Sequence, residues 1–253
     1  MVDFVAVIPA RMESSRLPGK PLADICGRPM VLWVADRARL SRASEVVVAT
    51  DSEEIAAACE AAGVSVEMTS KDHASGTDRI AELAVRRGWS DEHIIVNVQG
   101  DEPLLPPVLI DQVADLLAGR PDADIATLQA PIDGPTLFLS PDTAKVISND
   151  AGEAIYFSRA PIPAGGEGVP DCARRHIGMY AYRCSSLRAL AAAPRCEIEK
   201  RERLEQLRAL WLGQTIIVAD AQSAPAQGVD TPADLDQIRE LAVADPHRQW
   251  KRG

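Results

Sequence analysis

Five consecutive apolar residues, Phe4–Ile8, run directly into Pro9 and a loop, Ala10-Arg-Met-Glu-Ser-Ser-Arg-Leu-Pro-Gly-Lys20, that carries three cations. An apolar run without polar alternation suits a strand buried on both faces, as at the centre of a parallel sheet. Pro9 is expected to end that strand. In open α/β sheets ligands sit in the crevice at the carboxyl ends of the strands. Arg11, Arg16 and Lys20, beside a Pro-Gly turn, are therefore placed to cradle a polyphosphate. The loop is not a Walker A motif: Ser14 stands where that motif needs glycine, and Lys20 is followed by Pro21. The competing reading is an ordinary solvated basic loop.

The rest of the composition narrows the partners. A formal charge of −10 argues against nucleic acid, whose phosphates need a basic face. The basic loop then reads as a local anion site. Hydrophobic residues make up 46% of the 253, enough for a substantial core, but aromatics are only 4%, so aliphatic side chains must fill it. Five cysteines without C-x-x-C spacing read as free thiols in a reducing compartment, not as a zinc site. No signal-peptide pattern precedes the first strand, and no apolar run nears the roughly 18–20 residues that span a bilayer. A soluble cytoplasmic protein with no membrane partner is expected.

Along the chain, helices and buried strands alternate. A helix is predicted over about 30–42 with Met30, Trp33, Val34 and Ala38 on one stripe, then strand Glu45–Thr50, helix 53–62 closed by Gly63, and strand Val64–Met68. This β-α-β-α-β order points to a three-layer α/β fold with a mostly parallel, doubly wound sheet, Rossmann-like in build. Ser75 and Gly76 open a helix reaching about Arg87, where backbone N–H groups could meet a base, ribose or phosphate. An ordinary helix cap is the alternative. Strand His93–Val98 runs into Gln99-Gly-Asp-Glu-Pro103, which puts Asp101 at the same crevice as the cations. With phosphates held there, Asp101 suits Mg²⁺. Helix 106–118 and strand Ile125–Ala130 follow.

From about 131 the regular pattern lapses. Short strands are expected at 145–148, 154–158 and His176–Arg183, the last lining one face with His176, Gly178, Tyr180 and Tyr182. Gly165–Pro170 reads as a flexible loop. Helices 185–192 and 199–212, strand Thr215–Ala219 and helix 232–242 complete the chain. Within 199–212, Leu204, Leu207, Leu210 and Trp211 are expected inward, with Glu202, Glu205 and Gln206 off that stripe. The expected organisation is one domain over 1–244, with 131–183 inserted on the acceptor side, and a polar tail at 245–253.

Eight segments in order carry a family resemblance: Ile8–Pro21, Val48–Asp51, His73–Arg79, Asn97–Pro103, Tyr156–Pro163, Arg175–Arg183, Leu204–Arg208 and Gly228–Pro232. Together they resemble the 3-deoxy-manno-octulosonate (KDO) cytidylyltransferases. The resemblance implies a nucleotidyltransferase that couples CTP to the anomeric hydroxyl of a small acidic sugar, releasing pyrophosphate with Mg²⁺ as cofactor, and acting as a homodimer. It implies that Arg11, Arg16, Lys20 and Asp101 do catalytic work. Ala10, Arg11, Lys20, Ser75, Gly76, Arg79 and Gln99 would hold the nucleotide, and Asp101 and Asp230 the metal. Gln99, Lys145, Arg159, His176, Tyr180, Glu205 and Gln206 would meet the acceptor. Asp230 also reads as a plain cap for the helix that follows. The arm after Pro163 is shorter than the family pattern, so a phosphonate or an aminosugar acid stands as the alternative acceptor.

Overall fold

A computed structural model describes residues 2–13, 16–164, 168–224 and 228–244. Residues 165–167 of the Gly165–Pro170 loop and the tail from Asp245 lie outside the described residues. The first strand, β1 (Phe4–Ala10), is buried along almost its whole length, as its apolar run requires. It does not stop at Pro9. The parallel register continues through Pro9↔Ala49 and Ala10↔Thr50, because proline loses only an N–H and keeps its carbonyl for the ladder.

A small antiparallel pair, β2 (Asp24–Ile25) and β3 (Arg28–Pro29), leads into α1 (Met30–Ala38). The expected stripe of α1 is buried, and so are Val31, Leu32 and Ala35, so the helix is enclosed nearly all round. Trp33 donates its indole N–H to the carbonyl of Ile25 at 3.0 Å, which lets a polar ring sit in this core. Next come β4 (Glu45–Thr50) and α2 (Glu53–Ala61), whose cap is Ser52, accepting from the backbone of Ile55. Gly63 closes α2 at φ 66°, and β5 (Ser65–Met68) follows. Ser75 caps α3 (Gly76–Arg86) in a reciprocal box with Asp78.

The remaining elements are β6 (Ile94–Asn97), α4 (Pro107–Ala118), β7 (Ile125–Pro131), α5 (Pro135–Leu139), β8 (Lys145–Ser148), β9 (Ala154–Ser158) and β10 (Arg174–Arg183). Then come α6 (Cys184–Ala192), α7 (Glu197–Glu202), α8 (Gln206–Trp211), β11 (Ile216–Asp220) and α9 (Pro232–Ala244). The fold is α/β, with mixed but mostly parallel strands and helices on both sides, as the strand-helix alternation predicted.

The described chain forms two compact units. One comprises 5–87, 97–110 and 228–244; in it β5, β4 and β1 pair in parallel. Its apolar base joins Ile25, Met30 and Trp33 to Val229, Leu235, Ile238 and Ala242, so α9 packs beside α1. The other unit comprises 2–4, 88–96 and 111–224 and contains the whole 131–183 segment. There β11 pairs parallel with β7, β7 antiparallel with β10, and β10 antiparallel with β8, which continues to β9.

One expected helix is two. Residues 199–212 break at Arg203, which adopts the left-handed φ of 55°. The corner is held by Arg208, whose guanidinium grips the buried Glu199 carboxylate with bonds of 2.9 and 2.8 Å and reaches the carbonyls of Leu190 and Ala193. The break restarts the helical phase at Gln206. Gln206 is buried as a result, whereas Trp211, expected inward, is 65% exposed.

Two glycines crowd Pro9. A Cβ on Gly76 would lie 3.0 Å from the Pro9 ring, and one on Gly100 only 2.9 Å from the Pro9 carbonyl oxygen. Backbone cannot swing aside as a flexible side chain can. Gly100→Ala is expected to lower stability by about 1–3 kcal/mol. Gly228→Ala, whose added carbon would meet the Asp101 oxygen at an ordinary 3.7 Å, should stay within about 0.5 kcal/mol of the parent. Urea unfolding of both variants checks the contrast.

Candidate active site

In the unit containing β1, a cavity of about 340 Å³ opens beside the carboxyl end of that strand. Its lining brings together Ala10, Arg11, Arg16, Lys20, Ser75, Gly76, Arg79, Gln99, Asp101 and Asp230. Every residue that the sequence assigned to nucleotide or metal is therefore at one place. The Pro18-Gly19 turn, with Gly19 at φ 69°, delivers Lys20 into the cavity as the first residue of a short 3₁₀ turn. Its ammonium bonds Asp101 Oδ2 at 2.7 Å and Asp230 Oδ1 at 3.1 Å, and Arg16 reaches the same Asp230 oxygen at 2.9 Å.

Asp230 was open to a reading as a simple cap, and its side chain does not serve as one. Thr231 and Asp234 cap α9 reciprocally: the Thr231 hydroxyl accepts from the Asp234 backbone, and the Asp234 carboxylate accepts from the backbone N–H groups of Asp230 and Thr231. The Val229 N–H donates to the Asp101 carbonyl at 2.8 Å and pins this loop beside Asp101. Burial, and then the charge of Asp101, push the neighbouring Glu102 up to about 7. Among the described residues no cluster of three or more His, Cys, Asp or Glu is suited to hold a metal. A pair of carboxylates facing a phosphate-sized cavity is nonetheless the donor set that Mg²⁺ uses when phosphate oxygens complete its shell. All five cysteines are free thiols.

Two members of this group do structural work as well. Arg79 is nearly enclosed; its guanidinium bonds Asp51 at 2.6 Å, the Thr69 hydroxyl and the Ser70 carbonyl, tying the start of α3 to the end of β4. Ser75 gives both its hydroxyl and its backbone N–H to the capping box. The sequence reading missed Gly100 as a site residue; the signal was its place between Gln99 and Asp101, where backbone passes Pro9 too closely for any side chain.

The other unit holds a second cavity of about 400 Å³, lined by Arg159, His176, Tyr180 and Gln206 from the expected acceptor set, with Arg175, Gly178, Asp142 and Thr143 in addition. Gln206 is buried and its amide nitrogen has no hydrogen-bond partner, an orphan donor at the wall of this cavity. The rings of Phe157, His176, Tyr180 and Tyr182 follow one another at centroid spacings of 5.0–5.6 Å. Three expected residues are not in this lining. Gln99 lines the first cavity. Glu205 lies beside Arg208 at 3.5 Å. Lys145 is fully buried, and its ammonium is spent on the carbonyls of Ser140, Thr143 and Arg159 at 2.7–2.8 Å. Burial, then the Arg159 charge, lower its pKa. Arg159 itself donates to the carbonyls of Pro141 and Glu202 at 3.0 Å, so both cations brace the loop that borders the cavity.

The cytidylyltransferase family model matches residues 5–216 of this chain. The chain belongs to the cytidylyltransferase family. Two curated relatives, each called 3-deoxy-manno-octulosonate cytidylyltransferase, come from Yersinia enterocolitica and Yersinia pseudotuberculosis; each is 50% identical over 249 residues, covering 96% of this chain and 99% of the relative. A solved structure of CMP:2-keto-3-deoxy-manno-octonic acid synthetase complexed with CTP superposes with a TM-score of 0.89 at 38% identity, covering 96% of this chain and 100% of that one. A cytidylyltransferase from Leptospira borgpetersenii, at 18% identity and a TM-score of 0.59, shares the fold. This cytidylyltransferase is a nucleotidyltransferase enzyme. Among its described residues no helix is long and apolar enough to cross a membrane.

Its second cavity makes a pH prediction. Burial pushes the His176 imidazole from 6.5 down to about 3. Between those values the unfolded chain binds a proton that the folded chain refuses, so stability falls as pH falls through that window. The urea midpoint is expected to drop between pH 7.5 and pH 5, and to drop less in His176→Gln.

Proposed function

We propose that the chain moves CMP from CTP to the anomeric hydroxyl of KDO and releases pyrophosphate, with Mg²⁺ held by Asp101 and Asp230. The observation that carries this reading is the convergence of Lys20, Arg11 and Arg16 with two carboxylates in one cavity. Support comes from the CTP bound in the similar solved structure and from the name shared by the 50% identical relatives. Arg11, Arg16 and Lys20 hold the triphosphate and offset the charge that grows on pyrophosphate as the bond between the α- and β-phosphates breaks. Bound Mg²⁺ would lower the repulsion that an attacking oxygen meets at the α-phosphate. Gln99 and the Ser75–Gly76 turn border the nucleotide; Arg159, His176, Tyr180 and Gln206 border the acceptor. The alternative acceptors, a phosphonate or an aminosugar acid, are not favoured, since the relatives named for KDO match over nearly their full length.

Pyrophosphate release from CTP with KDO, an aminosugar acid or a phosphonate tests the assignment, and ATP in place of CTP tests the base. Release with CTP and KDO is expected to dominate; equal rates with ATP would overturn the nucleotide reading. Lys20→Ala should cost on the order of 10²–10³ in turnover and far less, in proportion, in stability. Asp230→Asn should stay folded, lose turnover and need more Mg²⁺. An unchanged Mg²⁺ dependence in that variant would leave Asp101 as the sole protein ligand.

The homodimer and the cytoplasmic location belong to the same proposal. The unit with the second cavity exposes Ile155 at 59% and Trp211 at 65%, on β9 and on the helix α8 that packs against it. A second copy of this chain is the occupant that the reading requires. Light scattering should give twice the chain mass, and Trp211→Glu should reduce it to one. A monomeric parent protein would refute the dimer.

A further inference from the structure

Thr127 on β7 is wholly buried behind His176. Its hydroxyl oxygen lies 2.8 Å from the Met179 carbonyl, 3.1 Å from the Ile177 carbonyl and 2.9 Å from His176 Nε2. A threonine hydroxyl has one proton to give. Two oxygens 2.8 Å apart, one of them a carbonyl, attract only when that proton lies between them. The proton is therefore committed to the backbone carbonyls. What the hydroxyl offers His176 is a lone pair, and Nε2 must carry a hydrogen to meet it.

The sheet builds this arrangement deliberately in register. Pairing of β10 with β7 runs His176↔Gln129 and Ile177↔Leu128, then resumes at Tyr180↔Thr127. Gly178 and Met179 are extra residues in β10, and the irregularity brings the carbonyls of Ile177 and Met179, two residues apart, to one hydroxyl. The imidazole is clamped from the sides by the Phe157 ring, edge-on at 5.0 Å, and the Tyr180 ring at 5.4 Å. No partner for Nδ1 is found among the described residues, and the ring lines the second cavity.

We propose that Thr127 is a positioning residue that fixes His176 as the Nε2–H tautomer, so that Nδ1 presents a lone pair to the cavity and takes a hydroxyl of the acceptor, not its carboxylate. This rests on the reading of that cavity as the acceptor site. Neutrality of the ring follows from its burial, which leaves it no cation to offer an acid at working pH. The acid group falls to Arg159 and Arg175, the two guanidinium side chains at the same wall.

The test is ¹⁵N–¹H correlation spectroscopy of the histidine rings in the full chain, with His176 assigned by its loss in His176→Gln, together with steady-state kinetics. The parent should show His176 as a single Nε2–H tautomer from pH 5.5 to 8. Thr127→Ser should keep that pattern and the acceptor KM. Thr127→Val should lose the single tautomer and raise the acceptor KM about tenfold, with KM for CTP unchanged. A parent His176 that is Nδ1–H, or that titrates near 6.5, overturns the proposal without recourse to any variant. An unchanged acceptor KM in folded Thr127→Val overturns it too. Absence of any turnover with KDO in the parent would instead strike the acceptor reading and leave the ring spectrum to judge the tautomer.

Discussion

Lys20 sits between the carboxylates of Asp101 and Asp230. Like charges gathered at one cavity repel, the more so the less water stands between them. The ammonium, at 2.7 Å from Asp101 and 3.1 Å from Asp230, converts that repulsion into attraction and ties together three loops distant in sequence. The loops converge because their backbones are held independently. Gly76 and Gly100 allow close passage over Pro9, Val229 bonds to the Asp101 carbonyl, and the Thr231–Asp234 cap leaves the Asp230 side chain for the cavity. A site so charged would be costly without those constraints; with them, the same charges are set for a polyanion.

The second cavity follows a different logic. Two cations around it, Lys145 and Arg159, brace backbone oxygens. Lys145 gives its ammonium to three carbonyls, and Arg159 gives donors to Pro141 and Glu202. These bonds satisfy carbonyls in a stretch with little regular structure, where a buried acceptor without a donor would cost about 1–3 kcal/mol. The buried Arg208–Glu199 pair does the equivalent for the corner between α7 and α8 and so places Gln206 at the cavity wall. The shape of that cavity depends on this bracing.

Much of this was legible in the residues. The apolar stretches within Phe4–Ile8, Glu45–Thr50 and His93–Val98 suit buried strands, since alternation is missing and each is short. Strand ends in an α/β sheet mark the ligand crevice, so the cations after β1 and the acid after β6 declared one site. The nine residues expected for nucleotide and metal, and Arg16 with them, do line one cavity. Local chemistry suffices for such assignments because strand, cap and turn preferences act over a few residues.

Residue order alone established the α/β class, the family motifs and the set of residues gathered in the first cavity. Tertiary structure decided which polar groups are available to a ligand and which are consumed internally. Lys145 and Arg159 look alike as acceptor cations in a one-dimensional reading, yet only Arg159 lines the cavity. Trp211 looked inward on an unbroken helix, but the left-handed turn at Arg203 resets the helical phase and leaves it exposed. Thr127 carries no sequence signal at all. Its meaning arises from a two-residue offset between β7 and β10, and hydrogen-bond donors are allotted by three-dimensional distance, which no spacing along the chain encodes.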